Sequence, residues 1–228
     1  MKIVIKIGGH VFSEGINAQN ILSFAEELKR LRSEGHKVIA VAGGGEEARR
    51  YIKAGRLLGA SEYACDILGI EASRLNARLL IAAMDDLAYP VPPKDIQELL
   101  VAFESEKIIV AGGIQPGQST NAVAAMIAES IYADILINAT NVEGVYTSDP
   151  DKDPSAKKFD EISTGELLRL LGGGKMVAGS YELFDLTAIK IVERSRITTR
   201  IINGKVPGNI EKAVRGESVG TLVFSKGG

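Results

Sequence analysis

The chain has 228 residues, 45% of them hydrophobic and 25% charged, an ordinary globular composition that excludes wholesale disorder and allows a sizeable core. Lys and Arg total 27 against 29 Asp and Glu, a net charge of −2, so no basic excess exists for general nucleic-acid binding. A single cysteine, Cys65, excludes an internal disulfide and a Cys-based metal cluster and reads as a small buried hydrophobe. No apolar run reaches the ~18 residues of a membrane span. The opening MKIVIKIGG carries a second lysine within six residues, unlike a signal peptide, so a cytoplasmic protein without membrane association is expected.

Residues 3–7 form a first Val/Ile run, ended by Gly8-Gly9. Such runs, polar on neither face, suit a parallel strand covered on both sides. Ile21, Phe24, Leu28 and Leu31 then recur at helical spacing. A second run, 38–41, ends in Gly43-Gly44-Gly45. Leu68, Ala72, Leu75, Leu79 and Ala82 predict the apolar face of a long helix, and Pro92-Pro93 a turn before another. A third run, 108–110, precedes Gly112-Gly113 and Gly117. Ser119 is the expected N-cap of a helix with Ala122, Val123, Met126 and Ile127 on its apolar face. Residues 135–138, 199–202 and 221–224 read as further strands. Gly172-Gly173-Gly174 is a fourth glycine cluster, and Lys175 after it reads as a loop lysine. This alternation predicts one domain over residues 1–228: an α/β fold with a mostly parallel central sheet sandwiched by helices on both faces.

Glycines at strand ends let a ligand approach the backbone closely, while the next helix aims free N–H groups and its positive dipole end at an anion. Several such loops point to a polyanion carrying more than one phosphate. Known phosphate motifs fail: Gly174-Lys175 is followed by Met176 with Arg169 at the first P-loop position, and Gly43-Gly44-Gly45-Glu46-Glu47-Ala48 only approximates a dinucleotide fingerprint. His10 and His36 belong to no H-E-x-x-H helix, and no serine sits in G-x-S-x-G, which disfavours a zinc peptidase and a serine hydrolase.

Lys6-Ile7-Gly8-Gly9 at the end of the first strand resembles the opening of the amino acid kinase family, and Val41-Ala42-Gly43-Gly44-Gly45 resembles its second glycine loop. Ala133-Asp134-Ile135-Leu136-Ile137-Asn138-Ala139-Thr140-Asn141-Val142-Glu143-Gly144-Val145-Tyr146-Thr147-Ser148-Asp149-Pro150 looks like that family's nucleotide-binding strand and loop. Gly220-Thr221 fits its usual ending. The resemblance covers essentially the whole chain. Within the family the stretch Gly112-Gly113-Ile114-Gln115-Pro116-Gly117-Gln118-Ser119-Thr120 is similar to the UMP-binding loop of the uridylate-kinase branch, in its archaeal form.

That resemblance implies phosphoryl transfer from ATP to UMP, giving ADP and UDP, in pyrimidine nucleotide biosynthesis. It implies Lys6 as the catalytic residue. The UMP side would comprise Gly44, Asp66, Ile114, Gln115, Pro116, Gly117, Gln118, Ser119 and Thr120. The ATP side would comprise Gly9, His10, Gly45, Arg49, Thr140, Asn141, Tyr146 and Asp149. Mg2+ would arrive on the ATP phosphates, with no dedicated metal site. A homohexamer built as a trimer of dimers is implied, with the face of the 68–82 helix buried between copies or in the core. Site residues also have plainer alternatives: Lys6 a solvent-side strand lysine, though its place at a strand end before Gly-Gly favours catalysis, Arg49 a solvated neighbour of Arg50, Asp66 a surface charge, and Tyr146 a core filler. Asn121 and Asn141 stand where many relatives carry aspartate. The alternatives are a sibling kinase acting on isopentenyl phosphate, carbamate or acetylglutamate, or a storage or sensor protein on the same fold.

Overall fold

A computed structural model describes residues 1–12, 16–150, 152–172, 184–206 and 208–225. The Val/Ile runs become strands β1 (Lys2–Ile7), β2 (Lys37–Ala42), β3 (Ile109–Ala111), β4 (Ile135–Thr140), β6 (Thr199–Asn203) and β7 (Thr221–Phe224), with a short β5 (Glu161–Ser163) that hydrophobic patterning does not reveal. They form one seven-stranded sheet in the order β3-β2-β1-β4-β6-β7-β5, parallel except for β6 against β7. Strand order reverses beside β1, since β2 lies on one flank and β4 on the other. Crevices beyond the carboxyl ends of strands at such a reversal are the ligand sites of open α/β sheets.

Helices α1 (Ala18–Ser33), α2 (Gly45–Leu57), α3 (Glu62–Ala82), α4 (Ile96–Phe103), α5 (Thr120–Ser130), α6 (Thr164–Gly172), α7 (Leu186–Ser195) and α8 (Asn209–Val214) complete the described fold. One core packs α4, α5, α6 and α7 against Val4, Ile39, Val41 and Leu136. The other packs α1, α3 and α8 against Ile3, Ile5, Ile7, Ala40 and Ile137. Both faces of the inner strands are therefore covered, as their uninterrupted Val/Ile content predicts.

The α1 stripe Ile21, Phe24, Leu28 and Leu31 is buried as its spacing predicts. Helix α3 corrects the sequence reading. Its buried residues include Cys65, Ile70, Ser73, Asn76, Ala77 and Leu80, whereas Leu75 is 61% exposed and Ala82 also faces out. The polar pair Ser73 and Asn76 occupies the inner face because both bond to glycine loops, so hydrophobic periodicity points to the wrong side.

Glu27 is the buried charge of α1, and its Oε1 accepts a hydrogen bond from the Gly208 N–H at 2.6 Å. Burial raises its pKa above the ordinary carboxylate value, against lowering contributions from the Gly208 bond and Arg30. A carboxyl with a raised folded-state pKa favours folding most below its unfolded pKa and costs stability as pH rises through the folded value. Glu27→Gln keeps the acceptor and removes the charge. It is expected to raise the melting temperature at neutral pH, with the gain shrinking toward the carboxylate range. Melts across that span check this, and a pH-independent difference would reject it.

Candidate active site

The carboxyl ends of β1 and β2 are bound backbone to backbone. Gly43 N–H donates to Ile7 O at 3.0 Å, and Gly8 N–H donates across the other flank to Ala139 O at 2.8 Å. The two glycine loops then touch: a Cβ on Gly9 would lie 2.5 Å from Gly45 N, and one on Gly45 2.8 Å from Gly9 O. Gly45 also has φ +68°, a left-handed conformation costly to other residues. No side chain fits between the loops, which leaves backbone as the surface at this point. After β2 the chain enters α2 directly, as expected of an anion-facing loop. After β1 it does not; a 3-10 turn, Gly9–Phe12, intervenes, so the helix-dipole expectation fails at this loop.

Helix α3 fixes these loops. Asn76 Nδ2 donates to Gly43 O at 2.8 Å and Gly44 O at 3.2 Å, occupying the carbonyls of the second glycine loop. Ser73 Oγ donates to Ile70 O and accepts from Gly113 N–H, each at 2.7 Å. Arg74 Nε donates to Gly113 O at 3.1 Å. Two of these contacts, from Ser73 and Arg74 to Gly113, tie α3 to the loop after β3. Sequence reasoning passes over Ser73, Arg74 and Asn76; their one local signal is polar residues on a helix that is otherwise apolar.

A pocket of about 210 Å³ opens above this scaffold, lined among others by Gly44, Gly45, Arg49, Asp66, Gln118 and Thr120. Six residues named from the sequence thus meet in one cavity. Asp66 accepts from Gly117 N–H at 2.8 Å, joining α3 to the turn where Gly117 takes φ +78°. Gln118 Oε1 is buried without a hydrogen-bond partner, a polar atom available to a ligand. Arg50 pairs with Glu46 and Glu47, whereas Arg49 makes no ion pair among the described residues and lines the pocket. Ile114 packs against the core, and Gln115 and Pro116 are not among the pocket's lining. Ser119 is the α5 N-cap, accepting from the N–H groups of Asn121 and Ala122, both at 3.1 Å. Its hydroxyl also donates to Asp185, the N-cap of α7, a link no local pattern discloses.

On the other flank of β1, Lys6 stands in register with Asn138 of β4. Lys6 is half-buried on a strand covered on both faces, which removes the solvent-side reading. The 3-10 turn carries His10, whose pKa falls from 6.5 to about 4 through burial first, then the nearby charges of Lys205 and Lys6. Its imidazole is therefore neutral near physiological pH.

Beyond β4, Thr140 Oγ1 donates to Asn141 Oδ1 at 3.2 Å. Tyr146 is half-buried and pairs with Lys158 in an isolated antiparallel bridge, supported by Phe159 N–H donating to Val145 O at 2.8 Å. Asp149 pairs with Lys152 at 3.2 Å. The Gly220-Thr221 motif acquires a reason here. Thr221 Oγ1 accepts from Val145 N–H at 2.9 Å and donates to Phe159 O at 2.5 Å, anchoring the loop to the sheet. A side chain on Gly144 would strike that same hydroxyl. Lys175 lies outside the described residues.

The mostly parallel sheet whose two central glycine loops touch, with a half-buried lysine on one flank and an acidic-and-amide pocket beside them, is a scaffold suited to a phosphorylated small molecule. The chain belongs to the amino acid kinase family, which it matches over residues 1–203. It is 46% identical to a uridylate kinase of Methanobrevibacter smithii, over 99% of this chain and 100% of that one. It is 49% identical to a uridylate kinase of Hyperthermus butylicus, over 97% of each. The crystal structure of a uridylate kinase from Archaeoglobus fulgidus superposes with TM-score 0.89 at 44% identity, covering 98% of this chain and 100% of that one. A UMP kinase structure from Bacillus anthracis, at 20% identity and TM-score 0.84, shares the fold.

Proposed function

We propose that this chain is a UMP kinase that transfers the γ-phosphoryl group of ATP to UMP. The carrying observation is the pocket in which Gly44, Gly45, Arg49, Asp66, Gln118 and Thr120 meet beside the touching loops, in a chain 42–49% identical to curated uridylate kinases. The acceptor phosphate is ionised at neutral pH and needs no general base. Catalysis then consists of bringing two polyanions into line and stabilising the charge that moves. Backbone N–H groups of residues 8–10 and 43–45, with Lys6 and Arg49, supply donors of the required sign. Thr140, Asn141, Tyr146 and Asp149 are the proposed ATP side, and residues 114–120 with Asp66 the UMP side. Mg2+ is proposed to arrive on the ATP phosphates, since it needs few protein ligands. The product UDP places the reaction in pyrimidine nucleotide supply, and we assign it to the cytoplasm, where such soluble substrates are held. No helix among the described residues is long and apolar enough to cross a membrane.

A coupled assay of ADP release across UMP, CMP, dUMP, isopentenyl phosphate, carbamate and acetylglutamate tests the assignment. UMP is expected to give the highest kcat/KM, and preference for a non-nucleotide acceptor would reject it. The outward face of α3, with Ile67 36% and Leu75 61% exposed, fits burial between copies in a hexamer. Sedimentation should show an oligomer at micromolar concentration, and a stable monomer there would exclude one.

Asp66→Ala is expected to raise the UMP KM about ten- to a hundred-fold, since a charged hydrogen bond contributes roughly 1.5–3 kcal/mol. It should blunt the preference for UMP over dUMP, because the carboxylate is the proposed partner of the ribose hydroxyls. The ATP KM should hold. Unchanged UMP kinetics in the folded variant would remove Asp66 from the site.

A further inference from the structure

We propose that Lys205 is a second catalytic cation, meeting the transferring phosphoryl group from the β6 side while Lys6 meets it from β1. This rests on the kinase reading above and adds a residue to it. Three strand ends are stapled in a row. Gly8 N–H donates to Ala139 O at 2.8 Å, and Gly204 N–H donates to Thr140 O at 2.7 Å. Gly204 is pressed so closely onto β4 that a Cβ there would lie 2.8 Å from the Ala139 Cβ. Lys205 is the next residue, so it emerges beside the β4 end on one side as Gly9 and His10 do on the other.

Its loop is fixed at three points. Lys205 N–H donates to Asn203 Oδ1 at 2.9 Å, Asn209 Nδ2 donates to Asn203 O at 3.0 Å, and Gly208 N–H is held by Glu27 at 2.6 Å. Three carboxylates on or bound to the 203–211 segment are engaged elsewhere: Glu143 by Asn203, Glu27 by Gly208, and Glu211 by Arg30. Lys205 itself is exposed and makes no ion pair among the described residues. This ammonium, on an anchored loop and in no ion pair among the described residues, lies close enough to His10 to act on it, beside the strand ends where a polyanion is expected.

The His10 ring reports the convergence. It folds back over Gly8, where a Cβ would lie 2.5 Å from its Nδ1, and its Nε2 is buried without a hydrogen-bond partner. After burial, the charges that depress its pKa are Lys205 and then Lys6. Both ammonium groups therefore act on one imidazole at the mouth of β1.

In the transfer, a UMP phosphate oxygen forms a bond to the γ-phosphorus while the bond from that phosphorus to the β–γ bridging oxygen breaks. The electron pair stays on the bridging oxygen, which leaves with ADP. Charge is spread over the phosphoryl oxygens and grows on the bridge, where two cations on opposite sides stabilise it better than one.

The test is Lys205→Met beside Lys205→Arg, with kcat, both KM values, and tripolyphosphate binding by calorimetry. The second readout is the His10 pKa by proton NMR, simple here because the chain has 2 histidines. Lys205→Met should lower kcat about ten- to a hundred-fold with the UMP KM nearly constant, weaken tripolyphosphate binding, and raise the His10 pKa part of the way to 6.5. Lys205→Arg should retain more activity than the methionine variant. A kcat within twofold of the parent overturns the proposal. So does a fall in kcat with unchanged tripolyphosphate binding and an unmoved His10, which is the pattern of a merely structural residue. A parent protein inactive on UMP would sink the UMP reading alone, and tripolyphosphate binding would then decide the role of Lys205.

Discussion

Lys6→Met is expected to lower kcat a hundred- to a thousand-fold while both KM values stay within about threefold. A lysine at the end of an inner strand has few reasons to be there. β1 is covered on both faces, and every residue after its first is fully buried except Lys6, which is half-buried. Its strand neighbours in register are Val41 and Asn138. Burying an ammonium costs stability unless something charged or polar meets it, and the touching glycine loops lie immediately beyond. In the proposed reaction the lysine meets charge that appears on the bridging oxygen in the transition state. Losing such an interaction lowers kcat and leaves KM. One preorganised donor of this kind contributes roughly 3–4 kcal/mol. Methionine keeps the aliphatic stem, so the fold should survive. Arginine should rescue poorly, because a planar fork does not replace a compact ammonium beside closely packed glycines. Measured kcat within threefold of the parent, in a variant with a normal melt, would reject Lys6 as the catalytic cation.

The strands were legible because burial on both faces demands Val and Ile runs, and the glycine clusters because three of them end strands. Ser119 was legible as a cap for the same local reason: its hydroxyl serves N–H groups two and three residues on. What escaped is non-local. Asp66 meets Gly117 across 51 residues, and Asn76 meets Gly43 across 33. Neither contact leaves a trace in spacing, and Asp66 entered the site only through family resemblance. Helix α3 departs from its periodicity because Leu75 and Ala82 face outward while Ser73 and Asn76 join Cys65, Ile70, Ala77 and Leu80 on the inner face, held there by bonds to the glycine loops. β5 has three residues at the sheet edge, one of them exposed, too little for any periodicity. Lys205 is one exposed loop lysine in the sequence and gains meaning only from the stapling of β4 to β6.

A set of three glycine substitutions should separate backbone strain from steric fit. Gly35, in the turn between α1 and β2, has φ +85° with nothing within 4 Å of a Cβ. Gly35→Ala therefore suffers the left-handed conformation alone, about 1–2 kcal/mol, seen as a lower melting temperature with kcat/KM unchanged. Gly9 is the opposite case. Its φ is not in the left-handed region, yet its Cβ would meet Gly45 N at 2.5 Å, a backbone atom that no rotamer change can move. Gly9→Ala must push the two loops apart. Gly45→Ala carries both burdens, φ +68° and a Cβ 2.8 Å from Gly9 O. The loops hold the donors that align two phosphates, and a displacement near 1 Å in such a site costs on the order of a hundred-fold in rate. Gly9→Ala and Gly45→Ala should each lose at least that much kcat/KM for ATP, with Gly45→Ala also the less stable of the two. The comparison with Gly35→Ala matters most. If all three variants melt lower but Gly9→Ala keeps kcat/KM within threefold, the contact between the loops is structural packing and does not set the phosphate-binding geometry.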